Sequence, residues 1–150
     1  MEKLEIVERL LTLVKLDIDA VNAYAKAVDK IGESEIRQYL VNFLDEHNVH
    51  ISTMNSILRD YGAQPPEFGA ELKGIFLTTD HLVSAVGPDE ILRALQKGET
   101  ISYNLYENAV ELHFPAEIRT IIDNHFRDEI KHKRYIEHAI DIKIWEQGRR

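Results

Sequence analysis

Four long stretches of this chain carry an apolar side chain at every third or fourth position, the period of an α-helix with one buried face. In residues 3–31 these are Leu4, Val7, Leu11, Val14, Ile18, Val21, Ala25 and Val28. In 34–61 the face is Leu40, Phe43, Leu44, His47, Ile51, Met54 and Leu58, and in 88–113 it is Leu92, Leu95, Glu99, Tyr103, Tyr106 and Val110. In 115–145, Ile122, Phe126, Ile136 and Ile140 flank the i, i+3 pair Glu129 and His132. Gly32 and Gly62 read as helix stops, Ser34 as an N-cap, and Pro115 as a first-turn residue of the fourth helix. Short turns then make two antiparallel hairpins. Between them, Ala63-Gln64-Pro65-Pro66 cannot continue a helix. Residues 67–87 read as a crossover with helical pieces at 72–77 and 82–86. The expectation is an all-α antiparallel four-helix bundle with a long crossover between its second and third helices, occupying 1–150 as one domain with a frayed tail at 146–150.

Charge and composition remove several functions. The net charge is −8 and no basic run exceeds Arg149-Arg150, which disfavours nucleic acid or an anionic membrane as partner. No apolar run approaches the ~20 residues of a membrane span, and the start MEKLEIVERLL lacks a signal-peptide core. A cytoplasmic location is the expectation. The absence of cysteine excludes disulfides, thiolate metal sites and cysteine nucleophiles, so any metal must be held by His, Asp and Glu.

The polar residues on the predicted inward faces follow an internal repeat. A shift of 82 residues lays Asp17 on Glu99, Tyr24 on Tyr106, His47 on Glu129 and His50 on His132. Height agrees. Asp17 lies 15 residues before Gly32 and His47 15 after it, while Glu99 and Glu129 lie 15 before and 15 after Phe114. At ~1.5 Å per residue each pair meets roughly 22 Å from its turn. Three carboxylates and three imidazoles would thus converge inside an apolar core, where an unpaired charge costs several kcal/mol. Two readings account for them: a bound metal centre, or a metal-free hydrogen-bonded polar layer.

These residues resemble the ferritin-like superfamily. Asp17-Ile18-Asp19-Ala20-Val21-Asn22-Ala23-Tyr24 is similar to the first-helix pattern of bacterioferritins and rubrerythrins, and Gly98-Glu99 to the opening of the rubrerythrin third-helix site. Asp128-Glu129-Ile130-Lys131-His132 matches the fourth-helix Glu-x-x-His motif of di-metal bundles. The Pro-containing crossover and the run from Glu99 to Glu107 are similar to bacterial ferritin-like bundle families of about this length. The chain departs from the pattern in having Asp17 where the family usually has Glu, His47 where the family has a second Glu, and Ser102 where the rubrerythrin third helix has another acid.

The resemblance implies a di-iron centre of two iron ions per chain, with manganese or zinc as alternatives. Asp17, His47, His50, Glu99, Glu129 and His132 would be its ligands. Within that set, Glu99 and Glu129 are expected to bridge and His50 and His132 to be terminal. Glu46, about 100° around the helix from His47, is an alternate ligand if a π-bulge turns it inward. Tyr24 and Tyr106 would orient carboxylates, His125 would stand beside the centre, and His81, His113 and His138 would be surface residues. The implied function is Fe(II) oxidation, iron handling, or reduction of dioxygen or peroxide by an external reductant, in a homodimer. The alternative is a non-catalytic helical scaffold for self-association or partner binding.

Overall fold

The computed structural model describes residues 1–67 and 78–147. Its long helices are α1 (Lys3–Lys30), α2 (Ser34–Asp60), α4 (Gly87–Val110) and α5 (Ala116–Asp141), with a short α3 (Thr78–Ser84) in the connection. No strand occurs among the described residues. Helices α1 and α2 form one hairpin, α4 and α5 the other, and the two pack along α1 and α4. This is the four-helix bundle expected from the apolar period. The expected piece at 72–77 lies outside the described residues, and the one at 82–86 is the end of α3 and the turn after it.

The hairpin turns close differently from the expectation. Gly32 is not in the left-handed region; α1 stops because Ile31 turns extended, at φ −76 and ψ 128, and Arg37 caps the carbonyls of Val28 and Ile31. Ser34 is the first helical residue of α2, after an N-cap at Glu33 that makes no side-chain capping bond. Gly62 does terminate α2 with positive φ, at 76°, a conformation that costs glycine nothing. Pro115 is the N-cap of α5 rather than its first residue. At the far end α5 gives way to a 3-10 turn over Ile144–Glu146, entered through a left-handed Lys143. The connection is tied down by Lys30, whose Nζ donates to the carbonyls of Leu82, Val83 and Ala85 at 2.6, 3.1 and 2.6 Å.

The buried faces also sharpen. On α1 the core stripe runs Ile6, Leu10, Leu13, Val14, Asp17, Ala20, Tyr24 and Ala27, leaving Leu4 and Ala25 in solvent. Val14, Ile18 and Val21 of the expected face are buried as well, and Val7, Leu11 and Val28 are half-buried, so the buried stripe is broader than expected and includes Asp17 and Tyr24. On α4 and α5, Ser102 and His125 are buried where Tyr103 and Phe126 were expected, and those two rings sit half-buried against each other at the margin. Among the described residues no helix is long and apolar enough to cross a membrane.

Candidate metal centre

Midway along the bundle, the apolar core is interrupted by one polar layer. Asp17 comes from α1, His47 and His50 from α2, Glu99 from α4, and Glu129 and His132 from α5, none more than 1% exposed. All six predicted residues meet there. His47 Nδ1 lies 2.7 Å from Asp17 Oδ1 and 3.5 Å from Glu129 Oε1, and its Nε2 is 3.5 Å from Glu99 Oε1. His50 Nδ1 is 3.1 Å from Asp17 Oδ1 and 3.7 Å from Glu129 Oε1. His132 Nδ1 is 3.7 Å from Glu99 Oε1 and 3.8 Å from Glu129 Oε2.

Two overlapping groups result: Asp17, His47, His50 and Glu129, and His47, Glu99, Glu129 and His132, with the ligand atoms of each within 4.8 Å of one another. The shared residues are His47 and Glu129. Glu99 belongs to one group only, with Asp17 as its counterpart in the other. Helix α2 is unbroken through this region, without the π-bulge that would turn Glu46 inward.

Around this layer the two halves brace each other. Tyr24 donates its hydroxyl to Glu99 Oε1, and its repeat mate Tyr106 donates to Asp17 Oδ2. Farther out, His50 Nε2 lies 2.8 Å from Asp128 Oδ2, and His132 Nε2 lies 3.1 Å from Glu46 Oε1. Lys131 ties these outer acids together at the surface, 2.5 Å from Glu46 and 3.8 Å from Asp128. His125 stacks on His50 with centroids 4.0 Å apart, and Phe43 lies on His132 at 4.3 Å. Apart from Lys131 and Asp128, both on α5, each of these pairs crosses from one hairpin to the other. The sequence reading missed this role for Glu46 and Asp128, although the same 82-residue shift relates them. It placed His125 beside the centre, where it lies, and His81, His113 and His138 at the surface, where they are exposed.

Burial and charge oppose each other throughout the layer. Burial pushes Asp17 up, yet hydrogen bonds from His47 and His50 hold its carboxyl well below the usual range. Burial pushes His47 down, but Glu129, Asp17 and Glu99 raise it well above the ordinary imidazole value. His50, desolvated but bonded to Asp128 and Asp17, rises to about 9, and His132 rises against burial through Glu129 and Glu46. Glu99 is lowered against burial by His47 and His132. Glu129 goes the other way: burial, reinforced by the Glu99 charge, pushes it up to about 7. His125 falls to about 4, through burial and the neighbouring His50.

A set of buried atoms is left over. Both oxygens of Glu129, His47 Nε2, Glu99 Oε2 and His132 Nδ1 have no hydrogen-bond partner among the described residues. Buried polar atoms without partners cost about 1–3 kcal/mol each, and two of these, His132 Nδ1 and Glu129 Oε2, stand 3.8 Å apart. Nitrogen and carboxylate oxygen donors suit iron, manganese or zinc, so the donor set fits a metal centre. Outer acids on His50 and His132 fix which nitrogen each ring turns inward, as metal-binding histidines require.

A family model described as "Domain of unknown function (DUF2383)" matches residues 5–112. The chain belongs to this family. The match covers Asp17, His47, His50 and Glu99 and stops before α5. A search of curated proteins found no match. Among solved structures, the DUF2383 chain is similar to one described as a crystal structure of ferritin like, diiron-carboxylate proteins from Bacillus anthracis str. Ames. The TM-score is 0.75 and the identity 15%, with 93% of this chain and 99% of that chain covered. The fold is therefore ferritin-like, as the sequence motifs implied.

Proposed function

We propose that the bundle holds a di-metal centre of the oxidoreductase type, with iron as the metal. One observation carries this reading: six buried ionisable side chains converge in two overlapping four-residue clusters, and several of their oxygens and nitrogens have no hydrogen-bond partner among the described residues. Asp17, His50 and Glu129 would hold one ion and Glu99, Glu129 and His132 the other, with the single lone pair of a neutral His47 given to one of the two. Two iron ions bound there would supply one-electron redox chemistry toward dioxygen or peroxide. The relative from Bacillus anthracis, described as a diiron-carboxylate protein, supports the assignment by its fold.

The chain's own residues supply orientation and charge. Tyr24 and Tyr106 hold Glu99 and Asp17 by one oxygen each, and the other oxygen of Glu99 has no hydrogen-bond partner among the described residues. Asp128 and Glu46 keep the inward nitrogens of His50 and His132 basic. His47 replaces a carboxylate with a neutral ligand, so three carboxylates face two metals. An oxidised iron pair is less fully neutralised by three carboxylates than by four. The expected result is weaker or slower iron oxidation than in a four-carboxylate centre.

The second reading, a metal-free layer, rests on charge balance: protonated His47, His50 and His132 would offset Asp17, Glu99 and Glu129 without any ion. Anaerobic Fe(II) titration with metal analysis separates the two. The metal reading expects about two ions per chain, displaced protons as the imidazoles give up their hydrogens, and loss of binding in Glu129→Gln. Fewer than one ion per chain, unchanged in that variant, supports the metal-free layer.

A further inference from the structure

Outside His50 and His132 the ring packing repeats as far as His125 and Phe43 and then diverges. On the His50 side it ends with His125. On the His132 side it continues outward: Phe43 meets Tyr135 edge-on with centroids 5.5 Å apart, and Tyr135 stacks on Tyr39 at 4.1 Å with the planes 15° apart. Tyr39 is 49% exposed. The repeat mates of Tyr39 and Tyr135 are Ile121 and Thr53, so this stack is not a by-product of the repeated scaffold. It forms a continuous run of rings from solvent, through Tyr39, Tyr135 and Phe43, to the inward-facing His132.

The geometry points to Tyr39 and Tyr135 as a redox relay that carries an oxidising equivalent from the metal centre to the surface. The inference rests on the metal-centre reading above. Phenols are among the most easily oxidised side chains, and two near-parallel stacked rings share a positive charge better than one. Phe43 is not itself oxidised; it fills the gap with packed atoms through which an electron tunnels. The proton decides where the radical rests. Tyr135 has its hydroxyl oxygen buried without a partner among the described residues, so its proton has no acceptor. Tyr39 faces water and can release its proton there.

The step balances with hydrogen peroxide as oxidant. Reduction of peroxide to water takes two electrons. When the centre has a single Fe(II) to give, the second electron comes from Tyr39 by way of Tyr135, and the phenolic proton leaves to water. One Fe(II), one peroxide, one phenol and one proton give one Fe(III), two waters and one neutral tyrosyl radical. A small one-electron, one-proton reductant in solution then restores the phenol. The relay would spare Tyr24, which is bonded directly to Glu99, from that oxidation.

The test is freeze-quench EPR of the full chain loaded with Fe(II) and mixed with hydrogen peroxide. The expected result is a neutral tyrosyl signal that ascorbate abolishes and that is lost in Tyr39→Phe and Tyr135→Phe. Phenylalanine keeps the stack, so a merely structural pair predicts unchanged melting and an unchanged EPR signal in both variants. A tyrosyl signal that persists in the double variant overturns the relay. So does its absence from the parent chain when iron is bound, whether or not peroxide is consumed. A chain that takes up no iron in the parallel equilibrium titration overturns the metal reading, and the relay with it.

Discussion

The two hairpins supply matching parts, yet they are not equivalent. Helices α1 and α2 contribute one carboxylate and two imidazoles to the centre; α4 and α5 contribute two carboxylates and one imidazole. The difference is concentrated at the shared position, where His47 faces Glu129. Asp17 in the first half has both oxygens engaged, by His47 and His50 on one and Tyr106 on the other. Glu129 in the second half has neither oxygen hydrogen-bonded among the described residues. One acid therefore has its charge met within the fold, while the other is the one that the proposed metal reading needs most. Repeated scaffolds tolerate such divergence when each half can lean on the other.

The sharpest way to break this contrast is to remove each acid in turn. Asp17→Ala leaves two buried imidazoles without their main counter-charge, and the expected loss of metal-free stability is about 3–5 kcal/mol. Glu129→Ala should cost the metal-free fold much less while abolishing metal binding. Urea unfolding with and without metal measures both, and equal losses in the metal-free state would contradict the division of labour.

The paired tyrosines test the symmetric part. Tyr24→Phe and Tyr106→Phe each remove a buried hydrogen bond to a carboxylate, worth about 1.5–3 kcal/mol. Matching destabilisation is expected in thermal melts, and a large effect at one site alone would show that the halves are braced unequally. For the outer acids, Asp128→Asn and Glu46→Gln should weaken metal affinity by about 10–100-fold, read by competition with a chelator. Asp128→Asn should act more strongly, because the Glu46 bond to His132 is longer, at 3.1 Å against 2.8 Å.

The smallest expected effect is a drift with pH. His50 is raised to about 9 in the folded chain, above the ~6.5 of a free imidazole, so its stabilisation is complete below about pH 6.5 and is lost as pH rises through about 9. His47 and His132 are shifted in the same direction. Glu129, raised to about 7, adds to the trend only below that value: stability falls as pH rises from about 4.5, where the unfolded carboxyl ionises, and the loss is complete above about 7. Asp17 has the opposite sign, but its contribution is lost only in acid. The melting temperature of metal-free protein should therefore fall from about pH 6 to about pH 9. Bound metal, having displaced those protons, should flatten the slope.

Much of the centre was legible in the sequence because two independent regularities coincide there. Helical period decides which residues face inward, and the 82-residue shift picks out polar residues that no apolar core would select, so Asp17, Glu99, Glu129 and the three histidines emerge together. Outer contacts were harder to see. Glu46 and Asp128 sit about 100° off the inward face, and only the cross-hairpin packing brings them to the far nitrogens of His132 and His50. Local ends of helices were also beyond the pattern: Ile31 turns extended ahead of Gly32, and Ser34 joins the helix that it was expected to cap. The Tyr39 and Tyr135 stack breaks the repeat, so a reading guided by the repeat passes over it.

The reciprocal bracing has a consequence for how the chain is connected. Tyr24 to Glu99, Tyr106 to Asp17, His50 to Asp128 and His132 to Glu46 all run between hairpins, and the described residues of the connecting segment supply none of these groups. In topological terms the centre is a dimer interface enclosed within a single polypeptide. The connection contributes effective concentration rather than geometry, so a chain cut within it should still bring its two fragments together around the same six side chains.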